Sequence, residues 1–195
     1  MASKYEVLKI QTKNMALVWK KVRGLAPDDV ADKMDDAMLD WTVQLTDTLK
    51  MWIDKGSSMT DGELILARTN MGALVEAWLK FFFSVFYIEY KKMPVMNNQR
   101  AVEPEDLSFE RLKNYATGIL WPDQNAQLYL FVDRIQHYRN AIHSFKFRDI
   151  GKASDYIADV DEYYSFIEEI IDRLPPVEDF LGEYPEGYVL NPYFD

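Results

Sequence analysis

Cysteine is absent from the 195 residues, which removes disulfide frameworks, zinc–thiolate centres and thiol nucleophiles together. The absence fits a reducing compartment, and a cytoplasmic location is the expectation. Positive charge is also short. The 22 Lys and Arg stand against 32 Asp and Glu, a formal net charge of −10. That excludes a broad basic surface for nucleic-acid backbones, so any such contact must come from a local groove. Glycine is sparse and scattered, with 8 in the whole chain. No phosphate-cradling loop and no Gly-x-Ser-x-Gly elbow can be read. Metal-ligand spacing is missing as well. A di-metal bundle needs Glu-x-x-His pairs, but His137 follows Arg134 and His143 follows Asn140. Asp28, Asp32, Asp35 and Asp36 share one helix side; with no ligand-fixing loop they read as a solvated face. No metal and no other cofactor is expected.

Long apolar runs are nearly absent. Met71 to Ile88 comes closest to a membrane span, but Glu76 and Lys80 interrupt its middle, and each would be costly in hydrocarbon. It reads as a buried helix, with no membrane partner. Met1 to Ile10 carries two lysines and a glutamate and lacks the apolar core of a signal peptide.

What the chain does have is apolar residues at helical spacing. A 48% hydrophobic and 14% aromatic content supports a packed core, and the length suggests one domain. Glu6 to Val22 is a helix candidate closed by Gly24 and Pro27. Asp28 to Lys55 reads as one helix, with Met34, Met38, Trp41, Leu45, Leu49 and Trp52 at three- and four-residue steps. Thr60 or Asp61 opens a long helix that Pro94 stops near Met93. Val95 to Asp106 is a polar connection, and Leu107 to Leu120 a shorter helix with Ser108 as its cap. Pro122 and Asp123 begin the helix that carries Arg139 and His143. Ser154 to Leu174 closes the series. The fold class is all-α, an up-and-down helical bundle of five or six helices over residues 1–174. Residues 175–195, with Pro175, Pro176, Pro185 and Pro192 among Tyr184, Tyr188, Tyr193 and Phe194, form an extended arm on the bundle or on a second subunit.

Arg139-Asn140-Ala141-Ile142-His143 is the strongest lead. On an α-helix, a four-residue step puts Arg139 and His143 on one face, beside Leu128, Val132, Ile135 and Ile142. A guanidinium bordering an apolar stripe needs a partner or a use. Arg134, Arg139, Lys146, Arg148 and Lys152 give this stretch a local basic excess. His137 falls on the opposite side of the helix, near Leu130 and Asp133. On the long helix before it, Glu76 and Lys80 form a favourable i, i+4 pair. Two readings stand side by side. In one, Arg139 reaches Glu76 and His143 meets a carbonyl, and both are structural. In the other, Glu76 positions an arginine that works on substrate. Phe81, Phe82, Phe83 and Phe86 read as core, with a small-molecule pocket as a weaker alternative.

The Arg-Asn-Ala-Ile-His stretch, late in a helical bundle of this size, resembles the HEPN superfamily over the helices from Asp61 to Leu174. Three residues intervene between Arg139 and His143, a shorter gap than the family usually has. The resemblance implies a metal-independent endoribonuclease in a toxin–antitoxin or phage-defence setting, with an RNA substrate, an antitoxin or other protein partner, and a site at a homodimer interface. Arg139 and His143 would be catalytic, with Asn140, Glu76 and Lys80 supporting them. RNA brings its own nucleophile, the 2′-OH. An imidazole titrates near neutral pH and can move its proton, and a guanidinium can fork onto phosphate oxygens. The alternative is a non-catalytic helical module that binds a partner protein.

Overall fold

Capping chemistry sets where several helices begin. The computed structural model describes residues 3–143 and 145–190. Ser3 accepts from the Glu6 backbone N–H and opens α1, Lys4–Trp19. Thr60 and Glu63 form a reciprocal capping box at the start of α4, Asp61–Val85. Ser108 caps α6, Phe109–Tyr115. Such caps satisfy orphan N–H groups of the first turn.

The described residues form eight α-helices, not five or six, because two expected helices are each divided. Asp28 to Lys55 splits into α2, Asp28–Asp36, and α3, Leu39–Lys55. Ala37 and Met38 leave helical geometry, with ψ of 131° and 56°. The two pieces dock on different neighbours: α2 on α4 and the short α5, Tyr87–Tyr90, and α3 on α1 and α4. Arg23 fixes the first piece by binding Asp32 and Asp35, so these aspartates have an arginine partner. The long helix likewise breaks at Phe86, where ψ is 36°, with its ring against Phe82.

The connection after α5 holds a small hairpin that the sequence reading left as a polar link. Met96–Asn97 (β1) pairs antiparallel with Arg100–Ala101 (β2). Asn98 turns it with φ of 56°, a conformation asparagine tolerates well. Strands of two residues are too short to show alternation. α7, Gln127–Arg139, starts later than Pro122 or Asp123 because Asp123 accepts from the Asn125 N–H at 2.7 Å and holds a turn there. α8 is Tyr156–Arg173.

α4 is the central helix. It touches α2, α3, α5, α6, α7 and α8, and it buries Ala67, Met71, Leu74, Val75 and Leu79 completely. Burying each large aliphatic side chain contributes about 1.5–3 kcal/mol. None of the described helices is long and apolar enough to cross a membrane.

The proline-rich segment lies on its own bundle. Phe180 packs on Trp19 with ring centroids 5.5 Å apart, and Tyr184 stacks on Tyr188. The Asn14 side chain donates to the Val189 carbonyl at 2.8 Å and accepts from its N–H at 3.0 Å. Pro192, Tyr193 and Phe194 lie outside the described residues.

Candidate functional site

Arg139 is the last residue of α7. Its Nη1 lies 2.5 Å from Glu76 Oε2, and the other Glu76 oxygen lies 3.1 Å from Lys80 Nζ. The guanidinium also sits over the Phe109 ring, 5.6 Å from its centroid. Gly72, Glu76 and Lys80 recur every fourth residue of α4 and so share one side of it. Gly72 is what admits the arginine: a Cβ there would stand 2.6 Å from Arg139 Cβ. One carboxylate therefore holds two cations, and the cluster keeps a surplus positive charge. The Arg139 side chain is 32% exposed while Glu76 is 13% exposed. The arginine is anchored from below and open from above.

His143 does not share an α-helical face with Arg139. The chain tightens into a 3₁₀ turn over Asn140–His143, at about three residues per turn. The apolar stripe ends with the helix: Val132 and Ile135 are fully buried, but Ile142 and His143 are exposed. Asn140 is half-buried between them and the arginine. Beyond the turn, Lys146, Arg148 and Lys152 form no ion pair among the described residues. Phe145 and Phe147 alternate with the first two at 102% and 92% exposure. Arg134 does not belong to this basic group, because it binds Asp159 at 2.9 Å and Glu162 at 2.8 Å. His137 is exposed on its own side of α7, as expected.

A second arginine centre escaped the sequence reading. Arg68 of α4 is 0% exposed and pairs with Asp159 of α8. Its guanidinium carbon lies over the rings of Tyr138 and Tyr156, at 4.5 and 5.4 Å. Arg134 completes the group, so two arginines face Asp159 and Glu162 and the charges cancel. Gly151, at φ +66°, brings its loop over the centre, and a Cβ there would meet the Tyr138 hydroxyl at 2.8 Å. Burial pushes both phenols above their ordinary range. The signal was available: Arg68 sits between Leu64, Ala67 and Met71 on a buried face. Lys113 is a smaller case of the same kind, buried and held by Asp133 at 2.5 Å and Glu110 at 3.1 Å.

These two centres differ in what they can do. Arg68 is buried with its counter-ion and ties α4 to α8, with its Nε and Nη2 lacking a hydrogen-bond partner among the described residues. Arg139 has a positioning carboxylate, a neighbouring second cation and an open side, which is what recognition of an anionic group needs. Comparison with known protein families, curated proteins and solved structures found no match to this chain.

Proposed function

We propose that the Arg139–His143 stretch is the active site of a HEPN-like, metal-independent endoribonuclease that works as a homodimer. One observation carries the reading: Arg139, anchored by Glu76, stands partly open one turn before an exposed His143. In the reaction, the RNA 2′-oxygen attacks the adjacent phosphorus as the bond from phosphorus to the 5′-oxygen breaks, leaving a 2′,3′-cyclic phosphate and a free 5′-hydroxyl. One proton leaves the 2′-OH and one reaches the 5′-oxygen. His143 moves one of them, and the histidine of a second copy moves the other. Arg139 donates its forked N–H groups to the phosphate oxygens, where negative charge builds in the transition state. Asn140 orients the phosphate, Glu76 fixes the guanidinium, and Lys80 balances Glu76. A twofold pairing would double the local positive charge that one acidic chain lacks. A toxin–antitoxin or phage-defence role, with an antitoxin as partner, belongs to the same reading.

The test is cleavage of mixed structured and single-stranded RNA in EDTA, by the parent and by Arg139→Ala and His143→Ala. Loss of a proton-moving group should lower the rate about 10²–10⁴-fold. Arg139→Ala should keep its fold, because Glu76 retains Lys80. Equal background in all three would favour a non-catalytic interaction module instead. One observation favours that second reading: Ile142, Phe145 and Phe147 present exposed apolar surface beside the site, as protein-binding patches do.

A further inference from the structure

A cleft of about 360 Å³ opens between α2, α3 and α4, within the usual range of about 300–1,000 Å³ for small-molecule sites. Leu39 and Phe81 form its buried floor. Met38, Trp41 and Leu45 wall it, at three- and four-residue spacing, and all three are exposed, Trp41 at 64%. The helix break at Ala37 and Met38 lies at its rim, and both residues line it.

Lys33, Asp36, Thr42, Lys80, Ser84 and Glu105 are the polar residues of the lining, and Lys80 and Ser84 stand one turn apart on α4. Lys80 lines the cleft and uses its ammonium on Glu76 alone among the described residues, at 3.1 Å. An ammonium has three donors, and the single carboxylate of Glu76 is shared with Arg139, so Lys80 keeps unused donors and the cluster one net positive charge. Ser84, 7% exposed, also lines the cleft, and its hydroxyl makes no hydrogen bond among the described residues. The other lysine of the lining, Lys33, is fully engaged by Glu103 and Glu105. Asp36 stands exposed in the lining and disfavours a second negative charge.

We propose that this cleft binds a small amphipathic monoanion, an alkyl or aryl carboxylate, with its apolar body against Trp41 and Phe81 and its carboxylate on Lys80 and Ser84. The larger apolar cleft of about 880 Å³ beside Phe83 and Ile119 is less suited to an anion. Its Arg173 is already bound to Glu169 and to the Ile119 carbonyl, and its Lys92 pairs with Glu89. Lys80 is shared with the proposed active site through Glu76, but Ser84 and Trp41 belong to the cleft, and the readout is ligand binding, not RNA cleavage.

The experiment is titration of the full chain with octanoate, 1-octanol and octylammonium, followed by calorimetry and tryptophan fluorescence. Octanoate should bind at one saturable site about tenfold or more tighter than octanol, the worth of a charge-assisted hydrogen bond, and octylammonium should be weakest. Lys80→Met should abolish the preference for octanoate and leave octanol binding unchanged. Ser84→Ala should weaken octanoate severalfold, and Trp41→Ala should weaken both ligands. Three outcomes overturn the proposal: equal octanoate and octanol affinity in the parent, a preference that survives Lys80→Met, or binding lost in Ile119→Asp but kept in Trp41→Ala. Absence of octanoate binding is a fourth, and Trp41→Ala shifting the sedimentation of the chain would then point to a protein-docking face.

Discussion

Arg68 and Arg139 both meet carboxylates across helices, and their surroundings set them apart. Arg68 is sealed between Tyr138 and Tyr156, and its group of four charges sums to zero. Arg139 is held by one carboxylate that also serves Lys80, and its group keeps one positive charge. The sealed centre is neutral, which a buried ion group needs, although Arg68 Nε and Nη2 find no hydrogen-bond partner among the described residues; a surplus cation persists where solvent or a ligand can meet it. Charge balance and access, more than burial alone, separate the arginine that holds from the arginine that can work.

The largest effect should come from Asp159→Ala, which leaves Arg68 charged and without its partner. The expected loss is about 3–5 kcal/mol, typical of breaking one side of a buried pair, and urea denaturation would measure it. The matching change at the open centre, Arg139→Ala, should cost no more than about 1 kcal/mol, as for partly exposed pairs. Comparable losses at both would erase the distinction between them. Gly72→Ala comes next. The added methyl would displace the Arg139 stem at about 1–3 kcal/mol of overpacking, while alanine returns about 1 kcal/mol of helix propensity. A net loss of up to about 2 kcal/mol is expected in the same denaturation, and under the proposed ribonuclease reading a lower cleavage rate too, since the guanidinium would no longer sit on Glu76.

The smallest effect sharpens the sealed centre. Tyr156 is buried, and its hydroxyl has no hydrogen-bond partner among the described residues. Tyr156→Phe keeps the ring face for Arg68 and should be neutral or slightly stabilising at pH 7. Its signature is in alkali. Burial raises the folded phenol above its unfolded value near 10.0, so the neutral form stabilises the fold fully below that value. That stabilisation is lost as pH rises above it. Tyr5, raised to about 12 by burial and then by Asp47, acts in the same sense. The denaturation midpoint should therefore hold to about pH 10 and fall beyond it, with a shallower fall in Tyr156→Phe.

The helices were legible where a residue type marks their starts, as at Thr60 and Ser108; the reciprocal bond of Glu63 at the first of these went unread. The breaks at Met38 and Phe86 carry neither glycine nor proline. They arise from docking on different neighbours, which periodicity along one helix does not encode. The Glu76–Arg139 contact was anticipated, because a charged pair on a buried helix must find a partner. The Arg68–Asp159 pair was not, because its members are 91 residues apart and neither belongs to a motif. The turn that carries His143 was misread for a local reason. Over four residues, α and 3₁₀ spacing look alike in sequence.

The Asn14 clasp has a consequence for the order in which the fold is completed. Its two hydrogen bonds join residues 175 positions apart, and the entropic cost of closing so long a loop is small only once other contacts have drawn the ends together. Until then the amide of Asn14, buried in the finished protein, has nothing but water to satisfy it. On a ribosome, Asn14 emerges 175 residues before Val189, so the clasp can close only after the helices between them have been made. Hydrogen exchange should find the arm among the first segments to open and the last to regain protection.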